Sequence, residues 1–181
     1  MKRVAVVGCG GAGKTRLARE LGRRLDVPVI HLDAHFWRPG WVEMPAAEWE
    51  ARQTELFAGD AWIADGNFNS TLRYRTARAD TVVFLDFPRS TCLRGVFGRL
   101  LRHRGEVRDD MAAGCPEGFD LGFLRWVWNF RRDTRAKTVE ILAGFEASGG
   151  RVITLRSRRE VEEFLRRGRF CSRTTTRMAK S

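Results

Sequence analysis

The chain is 181 residues long, carries 33 Lys and Arg against 22 Asp and Glu for a formal charge of +11, and contains 4 cysteines. That length holds one domain with a real core and excludes two of ordinary size. No apolar run approaches the ~20 residues of a membrane helix and no charged-then-apolar leader opens the chain, so a soluble cytoplasmic protein with no membrane partner is expected.

The chain begins with "RVAVV" (Arg3 to Val7), a short β-branched run of the kind that forms a strand buried on both faces. "GCGGAGKT" follows at Gly8 to Thr15. Glycine tolerates positive φ and lets backbone approach a ligand, so this run reads as a loop whose N–H groups point at a phosphate. Leu17, Leu21 and Leu25 with Ala18 then recur at helical spacing, and Pro28 stops the helix soon after Asp26. "PVIHLD" predicts a second strand, "PAAEWEARQTELFAGD" a helix with Pro45 near its first turn, "AWIAD" a third strand and "TVVFLDFP" a fourth.

From Ser90 a helix turns Leu93, Val96, Phe97, Leu100 and Leu101 inward and arginines outward. "GEVRDDMAAGCPEGFD" has three glycines, a proline and few large apolar residues, the composition of a mobile insert. Leu121 to Leu142 reads as one long helix, "RVITL" as a fifth strand, and "SRRE" at Ser157 to Glu160 as a capping box opening the last helix. The expected organisation is one domain over 1–168 and a basic, disordered tail over 169–181. Strands alternating with helices make a parallel sheet covered on both faces, whose ligands bind beyond the carboxyl ends of the strands.

The glycine run fits GxxxxGK(S/T) at Gly8, Gly13, Lys14 and Thr15. In that motif the loop backbone, here Gly8, Gly10, Gly11, Ala12 and Gly13, cradles phosphates; the lysine reaches the β and γ phosphates and the hydroxyl holds Mg²⁺. From ordinary residue frequencies a chance match arises in on the order of one chain in a few hundred, and here the required strand precedes it and a helix follows. The pattern implies ATP and Mg²⁺ as cofactors.

Asp33 falls at the end of the second strand, where a carboxylate can take the proton of a substrate hydroxyl attacking a γ-phosphate. Asp65, at the end of the third strand before Gly66, is placed to hold Mg²⁺ through water alongside Thr15. Trp37 and Trp41 offer flat faces for a base or ring, and His31 and His35 lack a metal-binding pattern and read as packing residues. Arg73, Arg75 and Arg78 follow the third strand and could clamp an acceptor. Asp33, Trp37, Arg38, Asn67 and Arg75 are the acceptor-site candidates. Arg99, Arg131 and Arg135, on the flanks of the glycine-rich insert, are candidates with Lys14 and Asp33 for the catalytic set, as cations that neutralise transition-state charge. Asp86 and Pro88 read as a strand-end turn.

Cys9, Cys92, Cys115 and Cys171 form no CxxC pair and no Cys/His cluster, so neither a zinc site nor a disulfide framework is suggested. Cys9 stands out, because a thiol near a helix N-terminus and a lysine can have a lowered pKa. A pI near 10.8 invites a nucleic-acid partner. The cations are nearly all arginine and are spread along the chain, which favours a small-molecule acceptor over a specific nucleic-acid partner.

As a whole the pattern resembles the adenylate-kinase-like branch of P-loop kinases, and within it the proteins labelled topology modulation protein. The resemblance runs from about Arg3 to Leu165 and rests on "GCGGAGKT", "VIHLDAHFWRPGW", "WIADGNF", "ARADTVVFLDFPR", "RLLRHRG" and "GCPEGFDLGFLRWVW". It implies an α/β, three-layer P-loop NTPase fold with a five-stranded parallel sheet, an ATP/Mg²⁺ site at Gly8 to Thr15 and a lid near 104–122. Adenylate kinases proper carry "DGFPR" after the third strand, where this chain has "DGNFNSTLRYR", and an Asp closing the second strand is similar to nucleoside, shikimate and other alcohol kinases. The expected activity is phosphoryl transfer from Mg²⁺-ATP to a small-molecule hydroxyl. The alternatives are a nucleoside monophosphate kinase, an ATP-binding regulator acting on nucleic acid, and a nearly inactive NTP-binding scaffold.

Overall fold

A computed structural model describes residues 1–168. Five strands form one parallel sheet: β1 (Arg3–Gly8), β2 (Val29–His31), β5 (Trp62–Asp65), β6 (Thr81–Leu85) and β7 (Arg151–Leu155), in the order β2-β5-β1-β6-β7. A separate two-stranded hairpin is made by β3 (Trp37–Arg38) and β4 (Val42–Glu43). The central strand β1 has Val4, Ala5, Val6 and Val7 at 0% exposure, as a strand covered on both faces requires.

Alternate residues of β1 divide the core. Val4 and Val6 face a cluster with Leu17, Ala18 and Leu21 of α1 (Lys14–Leu25), Cys92 and Val96 of α5 (Arg89–His103), and Val127 and Phe130 of α6 (Leu121–Asp133). The last helix, α8 (Arg158–Arg167), lays Val161, Phe164 and Leu165 on the same side. Ala5 and Val7 face Leu72 of α4 (Leu72–Arg78) and Ile141, Leu142 and Phe145 of α7 (Arg135–Ala147). Trp49 of α3 (Ala46–Leu56) covers Leu32, Phe57, Trp62 and Ala64 in a third cluster. Each such aliphatic side chain stabilises the fold by about 1.5–3 kcal/mol when fully buried, which is why the period-2 and period-3.6 patterns dominate over local propensity here.

Several elements differ from the sequence expectations. The second strand ends at His31 instead of Asp33, because Leu32–Phe36 winds into a one-turn helix, α2, that tucks Leu32 fully into the core. The long helix expected over 121–142 is two helices, broken at Thr134, whose φ of −112° is off the helical path. The short helices α2 and α4 and the hairpin carry no clear period of their own. The hairpin does have a signal in "RPGW": Gly40 and Trp41 both sit at positive φ, 79° and 63°. The capping box is present, with Ser157 Oγ accepting from the Glu160 N–H and Glu160 Oε2 accepting from the Arg156 N–H at 2.9 Å. Among the described residues no helix is long and apolar enough to cross a membrane. The tail expected over 169–181 lies outside the described residues.

Candidate active site

The loop from Gly8 to Gly13 leaves β1 at the carboxyl edge and turns straight into α1. Its glycines are needed on the protein side. A Cβ on Gly11 would lie 2.2 Å from the Cys92 carbonyl oxygen of α5, and one on Gly10 would lie 2.6 Å from the Phe123 ring of α6. Gly8 is likewise pressed against the Leu85 backbone. Gly13 caps α1 at φ 91° with nothing near its Cβ position, so glycine there serves backbone conformation alone.

The N–H groups of Gly11, Gly13, Lys14 and Thr15 have no acceptor among the described residues, whereas Ala12 N–H bonds the Cys9 carbonyl at 3.3 Å. Unpaired donors converging at the start of a 12-residue helix, with its positive dipole end behind them, form an anion cradle. Lys14 Nζ folds back onto the Cys9 carbonyl at 3.0 Å, and Thr15 Oγ1 donates to Asp110 Oδ2 at 3.2 Å.

Asp33 lies in the first turn of α2, within electrostatic reach of Lys14. Its carboxylate accepts no hydrogen bond among the described residues. Burial pushes the carboxyl up from 3.8 to about 6; the Lys14 charge opposes this, and the nearby carboxylates of Asp65 and Asp110 add to it. That combination places Lys14, Asp33, Asp65 and Asp110 within one electrostatic neighbourhood.

His31 and Asp65 stand in register on neighbouring strands, so their side chains share a face of the sheet edge, and His31 Nδ1 bonds Asp65 Oδ2 at 2.9 Å. The packing role expected for His31 is therefore corrected: it is the polar partner of a carboxylate only 5% exposed. Asp65 Oδ1 has no hydrogen-bond partner among the described residues, so Asp65 retains an oxygen for water.

The glycine-rich segment 104–120 is crossed by a cluster of ion pairs. Arg108 forms ion pairs with Asp110 at 3.1 Å and Glu117 at 2.9 Å, Arg99 pairs with Glu117 at 3.0 Å, and Arg19 of α1 lies 3.7 Å from Asp110. The same segment grips the hairpin through Gly40 N–H to the Gly114 carbonyl at 2.9 Å and Trp41 Nε1 to the Pro116 carbonyl at 3.1 Å. Burial holds the Arg99 guanidinium below its ordinary value, and its plane lies over Phe123 at 5.4 Å. Arg108, Asp110 and Glu117 were not among the sequence candidates. The only signal was the charged "VRDD" inside a segment otherwise poor in structure.

Other candidates take structural posts. Arg75 is 0% exposed and donates to Gln53 Oε1, Thr71 Oγ1 and the Asn67 and Phe68 carbonyls, with burial pulling it down to about 9. It is corrected from an acceptor clamp to a brace for the 67–71 turn, since no atom of it reaches the surface. Asn67 accepts from the Gly8 N–H at 3.2 Å, fastening the start of the glycine loop. Arg38 is exposed and ion-paired to Glu48 on α3, and Trp37 packs edge-on to Phe36 and Trp41 at 5.0 and 5.5 Å. Arg135 grips Asp86 with two bonds of 2.8 and 2.7 Å and Arg131 lies 3.9 Å away. Both stand at the end of β6, with Asp86 as their counter-ion, so the turn expected there is also a charge anchor.

Superposition on solved structures finds the same fold in shikimate kinases. The Acinetobacter baumannii shikimate kinase in complex with shikimate aligns with a TM-score of 0.56 at 18% identity, covering 92% of this chain and 90% of that one. Shikimate kinase from Bacteroides thetaiotaomicron gives 0.49 at 18% identity over 92% and 95%. No protein-family model and no curated protein sequence matches the chain. The first alignment, with the sheet order and the glycine loop, defines an α/β protein with the P-loop NTPase fold of shikimate kinase.

Proposed function

We propose that this chain is a small-molecule kinase, moving the γ-phosphoryl group of Mg²⁺-ATP to a hydroxyl of a nucleoside or a compound of similar chemistry. One observation carries the reading: a glycine loop whose N–H donors have no acceptor among the described residues lies within electrostatic reach of Asp33, a half-buried carboxyl with no hydrogen-bond partner among those residues, raised to about 6. A carboxylate with that value is ionised at neutral pH yet close enough to it to accept a hydroxyl proton. A phosphate acceptor, already ionised, has no use for such a group, which argues against a nucleoside monophosphate as the acceptor.

ATP fits the loop by its chemistry. The N–H groups of Gly11, Gly13, Lys14 and Thr15 would take phosphate oxygens, with Gly8, Gly10 and Ala12 shaping the loop behind them, and Lys14 Nζ would exchange the Cys9 carbonyl for a phosphate. Thr15 Oγ1 and, through water, Asp65 Oδ1 would hold Mg²⁺, which neutralises phosphate charge when bound. Arg99, half-buried and paired with Glu117, and Arg131 and Arg135, on the Asp86 side, would be the cations that neutralise transition-state charge. Trp37 and Arg38 line the acceptor side only through the hairpin. The finer affinity to proteins labelled topology modulation protein rests on the sequence blocks alone.

A panel of nucleosides, nucleoside monophosphates and small alcohols, shikimate among them because one neighbour binds it, tests the reading by ADP release. A hydroxyl compound is expected to be the best acceptor. On it, Asp33→Asn should lower transfer roughly 10²-fold or more while affinity for a non-hydrolysable ATP analogue stays within a few-fold. A nucleoside monophosphate as best acceptor, or normal turnover by Asp33→Asn, overturns the proton-acceptor role. Tight, sequence-selective DNA binding at physiological salt, with no acceptor found, would promote the nucleic-acid reading instead.

A further inference from the structure

The one hydroxyl of the glycine loop already has a partner, and that partner comes from outside the loop. Thr15 Oγ1 donates to Asp110 Oδ2 at 3.2 Å, across 95 positions of the chain. Asp110 is only 6% exposed. Its carboxylate is ion-paired to Arg108 at 3.1 Å and lies 3.7 Å from Arg19; the Met111 N–H closes a turn onto the Arg108 carbonyl at 3.0 Å, and Met111 and Ala112 are buried. Further on, the Cys115 thiol donates to the Arg38 carbonyl at 3.2 Å, beside the bonds from Gly40 and Trp41 to Gly114 and Pro116. The carboxylate is thus held in place by its own segment, independently of Thr15.

A hydroxyl has one hydrogen and two lone pairs, and the bond to Asp110 uses the hydrogen alone. Both lone pairs stay available to a cation. Asp110 also leaves the phosphate cradle clear: among the described residues it accepts from none of the loop N–H groups, and Lys14 Nζ bonds the Cys9 carbonyl instead. A carboxylate that blocked the loop would take those donors, as a phosphate does. Among the described residues no three His, Cys, Asp or Glu side chains gather as a metal site, so a cation here depends on the phosphates and on Thr15.

We propose that Asp110 is a positioning residue for the metal: it fixes the Thr15 hydroxyl with its hydrogen turned away and its lone pairs free for the cation that accompanies ATP. A ligand whose hydrogen is taken by a carboxylate is also more electron-rich, so the same bond strengthens its hold on the metal. Asp110 acts on Mg²⁺ through Thr15. The metal site is then completed from outside the glycine loop, by the segment that also grips the β3–β4 hairpin.

This inference rests on the kinase reading, because the metal arrives with ATP, and the test keeps the two apart. Affinity of the full chain for a non-hydrolysable ATP analogue is measured with Mn²⁺ and again in EDTA, so that the ratio isolates the metal's contribution. For Asp110→Ala, affinity with Mn²⁺ is expected to fall about tenfold or more while affinity in EDTA stays within about twofold, the scale of a lost partner to a metal ligand. Asp110→Asn keeps the side chain's volume and a neutral acceptor, so it serves the same comparison should the alanine variant melt early; its weaker bond predicts a loss of about threefold. In Thr15→Val, which has no hydroxyl to orient, either substitution should change the Mn²⁺ affinity by less than about twofold. An equal fall with Mn²⁺ and in EDTA would make Asp110 a support of the segment, and a rise in EDTA would make it a competitor of the phosphates. A full effect in the Thr15→Val background would cut the link to the hydroxyl, and each of these results overturns the proposal. So does a parent that binds the analogue no better with Mn²⁺, which leaves nucleotide binding standing. A parent that binds no nucleotide in either condition overturns the kinase reading together with it.

Discussion

The glycine loop and the segment 104–120 touch through Thr15 and Asp110, yet they are held by opposite means. The loop is fixed by backbone: Gly11 fits against α5 because it has no side chain, Gly13 takes a φ few residues tolerate, and Asn67 fastens Gly8. The segment closes its ends with backbone bonds from Gly105 N–H to Glu117 and from Glu117 N–H to Glu106, but side-chain charge fixes it to its surroundings, with Arg99 and Arg108 on Glu117, and Arg108 and Arg19 on Asp110. A site built from backbone keeps its shape when its chemistry is deleted. A site built from ion pairs loses its shape with its charges.

The largest expected effect follows from the first half of that contrast. Lys14→Ala removes a phosphate contact and no core volume, so turnover of ATP should fall by about 10³-fold or more while the melting temperature is unchanged. An ADP-release assay beside a thermal melt checks both. Substantial turnover in the variant would remove the loop from the chemistry, and a collapse in stability would show that Lys14, through its bond to the Cys9 carbonyl, supports the loop as well.

The two regions also differ in how far they could be read from sequence, for the same physical reason. A backbone-built site needs particular residue types at fixed spacing within one short stretch, so eight letters identify Gly8 to Thr15. The strands were equally legible, since burial on both faces imposes β-branched runs such as "VAVV". Arg108, Asp110 and Glu117 find partners as distant as Thr15 and Arg19, and nothing periodic announces a pairing across ninety residues. Arg75 shows the converse failure. Its spacing after the third strand suggested a clamp, but its environment, complete burial against carbonyls of the 67–71 turn, is set by tertiary packing alone.

Arg108→Ala sharpens the contrast from the other side. It leaves Glu117 with Arg99 as its cation and Asp110 with the Thr15 hydroxyl and the longer contact to Arg19, both carboxylates being nearly buried. Stranding buried charge costs about 3 kcal/mol when no water can replace the cation, and less where the loop can lift away. Lifting is the expected outcome. Hydrogen exchange should quicken at the Gly105 and Glu117 amides, whose bonds to Glu117 and Glu106 tie the segment to itself, while the β1 amides keep their protection. Equal loss of protection in β1 would mean that the two regions are one cooperative unit and the contrast is false.

The smallest effect concerns Asp33, which belongs to neither region and feels charge from both, Lys14 favouring its ionised form and Asp110 opposing it. Its folded value, about 6, lies above the ordinary 3.8, so the fold binds this proton more tightly than the unfolded chain does. For an acid shifted that way, stability is greatest below about pH 4, declines as pH rises toward 6, and stays lower above that. The full shift corresponds to about 3 kcal/mol, and partial solvent access to the side chain reduces the expected figure to about 1–2 kcal/mol. Asp33→Asn cannot ionise. It should therefore match the parent in a chemical melt at pH 4 and exceed it by that amount at pH 8, even as it loses phosphoryl transfer. Gaining stability at the pH where function is lost is what a carboxylate kept for proton transfer predicts. An equal difference at both pH values would trace the change to packing, and a variant less stable at pH 8 would mean that the ionised carboxylate is a structural partner of Lys14 rather than a free acceptor.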